Sequence, residues 1–290
     1  MLEIKHINKT YDENLILDDI NLLIDKPRIV ALVAPNGSGK TTLLNIICNL
    51  EKADSGTVEV FGLSNTDIEV FNQLSFMQDN SVLFEELTGR DHLSLIKDVY
   101  SVENCYVDEI LEKFDMTKNI NKKVKNYSLG MKQKLLFILA LLPRPRIILL
   151  DEPLNGLDPV SVVTVREILI NLKNEGTTVI LSSHNLDEIS KITKDIYFLI
   201  GKKLQHYNDI IGKESINRFE IITESSELLI EKISDKIITY KTLSPYECYI
   251  ETRLTDSEIK NTVSDVIIFK CKKIEKSLEQ VYFDLYEEQQ

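Results

Sequence analysis

Ala34-Pro35-Asn36-Gly37-Ser38-Gly39-Lys40-Thr41-Thr42 separates an apolar run, Ile29–Val33, from residues Leu43, Ile46, Ile47 and Leu50, which follow helical spacing. Strand, glycine-punctuated loop and helix in that order form a cradle for phosphate. Gly37 and Gly39 let backbone N–H groups approach phosphate oxygens closely, and the helix N-terminus adds partial positive charge. Lys40 has the reach to meet β- and γ-phosphates, and the Thr41 hydroxyl is placed to ligate Mg²⁺. Asn36, Ser38 and Thr42 complete the loop. The pattern GxxxxGK[ST] puts glycine at its first position, where this chain has Ala34. A methyl group there is small, so the loop is expected to tolerate it, provided its backbone is not in a glycine-only conformation.

A second apolar run, Ile147–Leu150, ends in Asp151 and Glu152. A strand end beside a phosphate loop is where a Mg²⁺-holding aspartate belongs, and Asp151 fits that role. Glu152, one residue on, can polarise an attacking water as general base. Taken alone the pair reads equally well as the acidic start of a helix, and the upstream loop decides between the two. Thr177–Leu181 and Ile196–Ile200 are further strand-like runs, and Val163–Leu172 reads as a helix between strands. This alternation implies a mostly parallel sheet covered by helices.

The chain has 290 residues, more than one typical domain holds, so two domains are expected. Thirty-four Lys and Arg against 46 Asp and Glu give a net charge of −12. That balance argues against nucleic acid as a partner, because wide wrapping needs basic surface to replace counterions. The strongest apolar run, Leu135–Leu142, is stopped by Pro143-Arg-Pro-Arg146 and falls short of the roughly 20 apolar residues a spanning helix needs. The charged N-terminus has no signal-peptide pattern, so no signal peptide or transmembrane segment is expected. Cys48, Cys105, Cys248 and Cys271 are too far apart for a CxxC pair and read as reduced cytosolic thiols.

Glu3–Ile7, Leu15–Leu23 and Thr57–Phe61 read as a small antiparallel sheet. Residues 83–142 carry helical patterns (Asp91–Tyr100, Val107–Phe114, Met131–Leu142) and no good strand, which makes them a helical insertion. Beyond residue 208 the order β-α-β-β-α-β suggests a ferredoxin-like accessory domain over 209–290, with Ser277 and Gln280 capping a last helix. The fold class is therefore α/β, a P-loop NTPase core over 1–208 with an antiparallel β subdomain and a helical insertion, plus a small α+β C-terminal domain.

At this point the motifs resemble those of the ATPase subunit of ATP-binding cassette (ABC) transporters. The resemblance covers about residues 1–205 and keeps the family's order of motifs. Phe76-Met77-Gln78-Asp79 is similar to the Q-loop, and Tyr127-Ser128-Leu129-Gly130-Met131-Lys132-Gln133 to the signature motif. Asp151-Glu152, the D-loop Leu154-Asn-Gly-Leu-Asp158 and Ser182-Ser183-His184 follow. The signature departs from Leu-Ser-Gly-Gly-Gln, with Leu129 for glycine and Met131 for glutamine.

The resemblance implies ATP and Mg²⁺ as ligands and assigns the remaining roles. Lys40, Glu152, His184 and Gln78 serve hydrolysis, and Thr41, Gln78 and Asp151 serve the metal. Tyr11 stacks on adenine. Ser128 and Gly130 face the nucleotide of a second subunit, and Asp158 couples the two sites. It further implies a dimer that ATP closes and hydrolysis opens, a homodimer being favoured over a hetero-pair, at the cytoplasmic face of the membrane. The partner is a separate integral-membrane permease that exports a drug, a lipid or a peptide such as an antimicrobial or toxin. The alternative is a non-transport member acting as an ATP-gated interaction protein.

Overall fold

The structure, a computed structural model, describes residues 1–213, 216–274 and 276–287. The chain divides into two compact units, Met1–Tyr207 and Asn208–Gln290.

The first unit runs β1 (Leu2–Tyr11), β2 (Asn14–Ile24), β3 (Ile29–Val33), α1 (Lys40–Ile47), β4 (Ser55–Val60), β5 (Leu63–Ser64), β6 (Leu74–Met77), α2 (Gly89–Tyr100), α3 (Asn104–Lys113) and α4 (Leu129–Leu141). It continues with β7 (Ile147–Leu150), α5 (Pro159–Asn174), β8 (Thr178–Ser183), α6 (Leu186–Ile192), β9 (Ile196–Ile200) and β10 (Lys203–His206). A helix α7 (Tyr207–Lys213) follows. One sheet, in the order β2-β1-β4-β5, is antiparallel throughout. The other has the order β10-β9-β3-β8-β7-β6 and is parallel except for β10.

Burial explains the strand pattern. Every residue of β3, β7 and β8 is buried, as expected of strands covered on both faces. Register then fixes the site: Val33 lies beside Ser183, Leu150 beside Leu181, and Met77 beside Leu150. The segments leaving β3, β6, β7 and β8 therefore all emerge at the carboxyl edge of the sheet, where open α/β sheets bind ligands.

The insertion is helical, as its sequence suggests. Its centre is α4, whose Leu135–Ile138 and Ala140–Leu141 are buried, with Phe137 against Phe114 at 5.5 Å between ring centroids. Three strands go beyond the sequence reading: β5, β6 and β10. β6 has only four residues, Leu-Ser-Phe-Met, and its Ser75 breaks the apolar run. The buried hydroxyl of Ser75 is satisfied by donating to the Ala140 carbonyl of α4 at 2.6 Å, a non-local partner that no strand pattern announces. Helices α2, α4 and α5 start earlier than apolar spacing suggests because Thr88, Ser128 and Asp158 cap them, and Pro159 opens α5.

The second unit contains β11 (Asn217–Thr223), α8 (Ser226–Ile233), β12 (Ile237–Ser244), β13 (Glu247–Thr252), α9 (Asp256–Thr262), β14 (Ile268–Ile274) and α10 (Leu278–Glu287). Its sheet order β12-β13-β11-β14, antiparallel throughout, is that of the split β-α-β fold. Phe219, Ile221, Leu229, Ile233, Ile250 and Ile259 form its core. The cap of α10 has the expected geometry: Ser277 N–H donates to Gln280 Oε1 and Gln280 N–H to Ser277 Oγ. All four cysteines are free thiols. Among the described residues no helix is long and apolar enough to cross a membrane.

Candidate active site

The phosphate loop leaves β3 and enters α1 through two left-handed glycines, Gly37 at φ +77° and Gly39 at φ +104°. A Cβ on Gly39 would lie 2.8 Å from Ile16 Cγ2, so backbone conformation and space both demand glycine there. Ala34 is fully buried and its backbone is not left-handed, which is why alanine is tolerated where the pattern has glycine. The buried Lys40 ammonium donates to the carbonyls of Ala34 at 2.7 Å and Pro35 at 3.0 Å. Burial lowers its pKa, opposed by the nearby charges of Glu152 and Asp151. The Ser38 hydroxyl is buried and makes no hydrogen bond within the chain. A buried polar atom left alone in a loop of this shape fits a loop whose partner is a phosphate oxygen.

Asp151 sits at the end of β7 under two hydroxyl donors. Thr41 Oγ1 donates to its Oδ2 at 2.6 Å and Ser182 Oγ to its Oδ1 at 2.5 Å. Thr41 and Asp151 thus present hard oxygens side by side, which suits Mg²⁺, a metal bound through few protein groups plus substrate phosphates. Among the described residues no cluster of three or more His, Cys, Asp or Glu side chains forms. The donor set fits a metal completed by the nucleotide.

Glu152 has φ +48°, a backbone state rare for a side chain of its size. Its N–H donates to Ser182 Oγ at 2.8 Å. Its carbonyl accepts from Gln133 Nε2 at 2.9 Å and from the Asn155 N–H at 3.2 Å. On its side chain, Oε2 lies 3.0 Å from Nδ1 of the half-exposed His184, and Oε1 lies 3.8 Å from Lys40 Nζ. A carboxylate between an imidazole and an ammonium is equipped to accept a proton from a water held nearby.

These groups border a cavity of about 370 Å³ lined by Tyr11, Gly37, Lys40, Thr41, Asp151 and Glu152 among others, including Asn36, Gly39 and Thr42. Tyr11 is part-exposed at its rim. Its hydroxyl donates to Glu51, and Lys9 Nζ lies 5.0 Å from its ring centroid. Gln78 follows β6 but lines a neighbouring apolar groove rather than this cavity.

Ser128, Gly130 and Asp158 lie outside the cavity lining. Ser128 caps α4, its Oγ accepting from the Met131 N–H at 3.2 Å, which leaves the hydroxyl proton for another acceptor. Leu129 is 58% exposed. A Cβ on Gly130 would stand 2.9 Å from the Gly156 carbonyl, so this turn packs on the loop that leads to Asp158. Asp158 caps α5, and hydrogen bonds from the Ser161 hydroxyl and N–H pull its carboxyl down to about 2.

Two residues that hold Glu152, Gln133 and Ser182, lie in the motifs read from the sequence, where no role attached to them. Their partners are 19 and 30 residues away, and no local pattern signals such contacts.

A sequence model described as ABC transporter matches residues 17–155. The lantibiotic transport ATP-binding protein SrtF of Streptococcus pyogenes is 30% identical over 80% of this chain and 99% of its own. The bacitracin transport ATP-binding protein BcrA of Enterococcus faecalis is 31% identical over 84% of this chain and 78% of its own. Among solved structures, the dimeric ATP-binding cassette MJ0796 in a post-hydrolysis state with ADP and Pi matches with TM-score 0.61. It is 25% identical and covers 71% of this chain and 97% of that one.

Proposed function

The chain belongs to the ATP-binding subunits of ABC transporters, an ATPase family, and on that premise we propose that it powers a bacterial exporter by closing, two copies together, around ATP. The observation that carries this reading is the split of the motif residues into two groups. Lys40, Thr41, Asp151 and Glu152 converge on one cavity, whereas Ser128 and Gly130 stand apart at the N-terminus of α4. A helix N-terminus with a free hydroxyl proton offers donors to the oxygens of a terminal phosphate, and the second copy brings its own phosphate to it.

In this reading Gly37, Ser38, Gly39 and Lys40 hold the phosphates, and Lys40 exchanges its loop carbonyls for them. Thr41 and Asp151 would hold Mg²⁺, with Gln78 reaching it when its loop moves; the ion would neutralise phosphate charge. Glu152 takes a proton from the attacking water as its oxygen bonds to the γ-phosphorus and ADP leaves. His184 keeps the Glu152 carboxylate in place and contacts the γ-phosphate. Tyr11 offers its ring to adenine. Asp158 stands at the junction of the two copies. Losing the bridging phosphate removes contacts to both copies, so the dimer opens.

The apolar groove of about 350 Å³ between β6 and α2, lined by Phe71, Gln78, Val82, Phe84 and Leu95, is where a cytosolic segment of a separate membrane permease docks. It sits next to the nucleotide site through Gln78, which follows the residue paired with Leu150. The chain then works at the cytoplasmic face of the membrane. Its lantibiotic- and bacitracin-transport relatives favour a peptide or drug as cargo over a lipid. The 209–290 domain acts as an accessory that regulates or steadies the dimer.

Mg²⁺-dependent ATP turnover, together with sizing of a Glu152→Gln variant, tests this reading. The variant is expected to bind ATP, stay dimeric and lose turnover. Normal turnover by Glu152→Gln would remove Glu152 as the base. Failure of any membrane protein to co-purify with the chain from its own membranes would favour the ATP-gated interaction protein instead.

A further inference from the structure

Glu152 is held by its backbone as well as its side chain. It has left-handed φ, precedes Pro153, and follows the Asp151 that two hydroxyls pin. A residue in that state turns its side chain in a direction the ordinary strand continuation would not give. It persists only where its surroundings over-determine it. Those surroundings are specific. Ser182 takes the Glu152 N–H, and the Asn155 N–H and Gln133 Nε2 share its carbonyl. Ser182 and Asn155 belong to the neighbouring strand and the turn itself. Gln133 comes from α4, the helix that begins at Ser128.

Gln133 is 5% exposed, on a helix whose Leu135, Leu136 and Phe137 are buried as well. A buried amide is costly unless it is paired, and its Nε2 is paired to the Glu152 carbonyl. Further along the same helix, Lys134 Nζ lies 3.7 Å from Asp158. One rigid helix therefore carries three contacts in seven residues: the Ser128 cap at its open end, the grip on Glu152, and an ion pair to the start of α5.

We propose that Gln133 is a positioning residue for the general base, and that α4 is a rod joining the phosphate contact made to the second copy's nucleotide with the Glu152 that acts on this copy's own. The inference rests on the reading above, in which Ser128 meets the partner's ATP. When α4 is seated by that phosphate, Gln133 sets the Glu152 turn. When α4 is drawn away, the Glu152 carbonyl loses one of the two N–H groups that donate to it. Firing at each site then senses nucleotide at the other without any contact between the two nucleotides. Gln133 touches neither substrate nor metal in this scheme, so its loss acts on kcat and spares binding.

The test uses the full chain with Mg²⁺ and ATP. Gln133→Met keeps an unbranched side chain of similar length in the same slot and donates nothing. Its kcat is expected to fall about ten- to hundredfold, with Kd for ATP and KM within about twofold of wild type, as for a misplaced catalytic group. Gln133→Glu replaces the donor by an acceptor that becomes a donor again when protonated. Its kcat relative to wild type is expected to rise as pH is lowered from about 8 to about 6, a buried carboxyl titrating in this range. A residue that merely fills space gives no such pH dependence. A double variant with Ser128→Ala is expected to lose less than the product of the single losses, because the two residues act along one helix. Unchanged kcat in Gln133→Met, or a flat pH ratio for Gln133→Glu, overturns the proposal. Multiplicative losses for the double variant overturn the rod. The underlying reading fails separately, by turnover persisting in Glu152→Gln or by absence of an ATP-dependent dimer in wild type.

Discussion

Replacing Ser182 by alanine tests how the site is built, because one fully buried hydroxyl serves both acidic residues at once. It donates to Asp151 Oδ1 at 2.5 Å and accepts the Glu152 N–H at 2.8 Å. The bond to the carboxylate is charge-assisted, worth about 1.5–3 kcal/mol, and a backbone N–H left without its acceptor costs about 1–3 kcal/mol. Ser and Ala differ by one oxygen, so little cavity strain adds to this. We expect a net loss of about 2–4 kcal/mol. At about 2–4 °C per kcal/mol for a unit of this size, the transition of the first unit falls by about 5–15 °C. Thr41 alone then orients Asp151, and loss of a supporting hydrogen bond of this kind lowers activity about 10- to 100-fold. Calorimetry and steady-state ATPase rates on the same preparation read both effects. A variant that melts within about 1 °C of wild type, well under the shift expected for one lost bond, and turns over normally would show that neither contact matters in solution.

Three further outcomes follow from the geometry. Asp158 has a carboxyl pulled down to about 2 from 3.8 by the Ser161 hydroxyl and N–H. Its cap therefore contributes fully above pH 4 and is lost as pH falls from about 4 towards 2. Asp158→Ala should cost about 1 kcal/mol at pH 7, and urea unfolding should show the gap to wild type shrinking below pH 4; a constant gap refutes the cap. Phe219→Ala empties the core of the second unit, where Phe219 is 1% exposed beside Ile221 and Ile250. It should destabilise that unit by about 3–5 kcal/mol while leaving the Kd for ATP unchanged, read by hydrogen exchange and nucleotide titration. A shift in ATP affinity would tie that core to the nucleotide site. Truncation after residue 208 should weaken ATP-dependent dimerisation or alter its turnover, and a truncated chain indistinguishable in both would deny the accessory role.

The parallel core is legible because Ile29–Val33 and Ile147–Leu150 are short apolar runs bounded by loop residues, as strands covered on both faces are. The phosphate loop is legible for a different reason: its glycines, lysine and threonines act within one short segment. The helical insertion followed from its spacing. β6 was not legible, because Ser75 depends on a carbonyl of α4 for its place in the core. The grip of Gln133 and Ser182 on Glu152 was hidden too: each reaches a backbone atom far along the chain, and neither residue type specifies such a partner. Leu129 and Met131 depart from the familiar signature, yet Ser128 and Gly130 hold the turn, and the Cβ space at Gly130 is closed by Gly156. The motifs name the side chains that meet the nucleotide, whereas the contacts that hold those side chains from distant backbone, such as Gln133 and Ser182 on Glu152, are seen only in the fold.

The most direct measurement is a structure of the Glu152→Gln variant with ATP and Mg²⁺. Two copies are expected with two nucleotides between them, and Ser128 Oγ of each copy about 3 Å from a terminal phosphate oxygen held by the other's Lys40, a normal hydrogen-bond length. ATP bound to single copies, or Ser128 remote from every terminal phosphate, would contradict it.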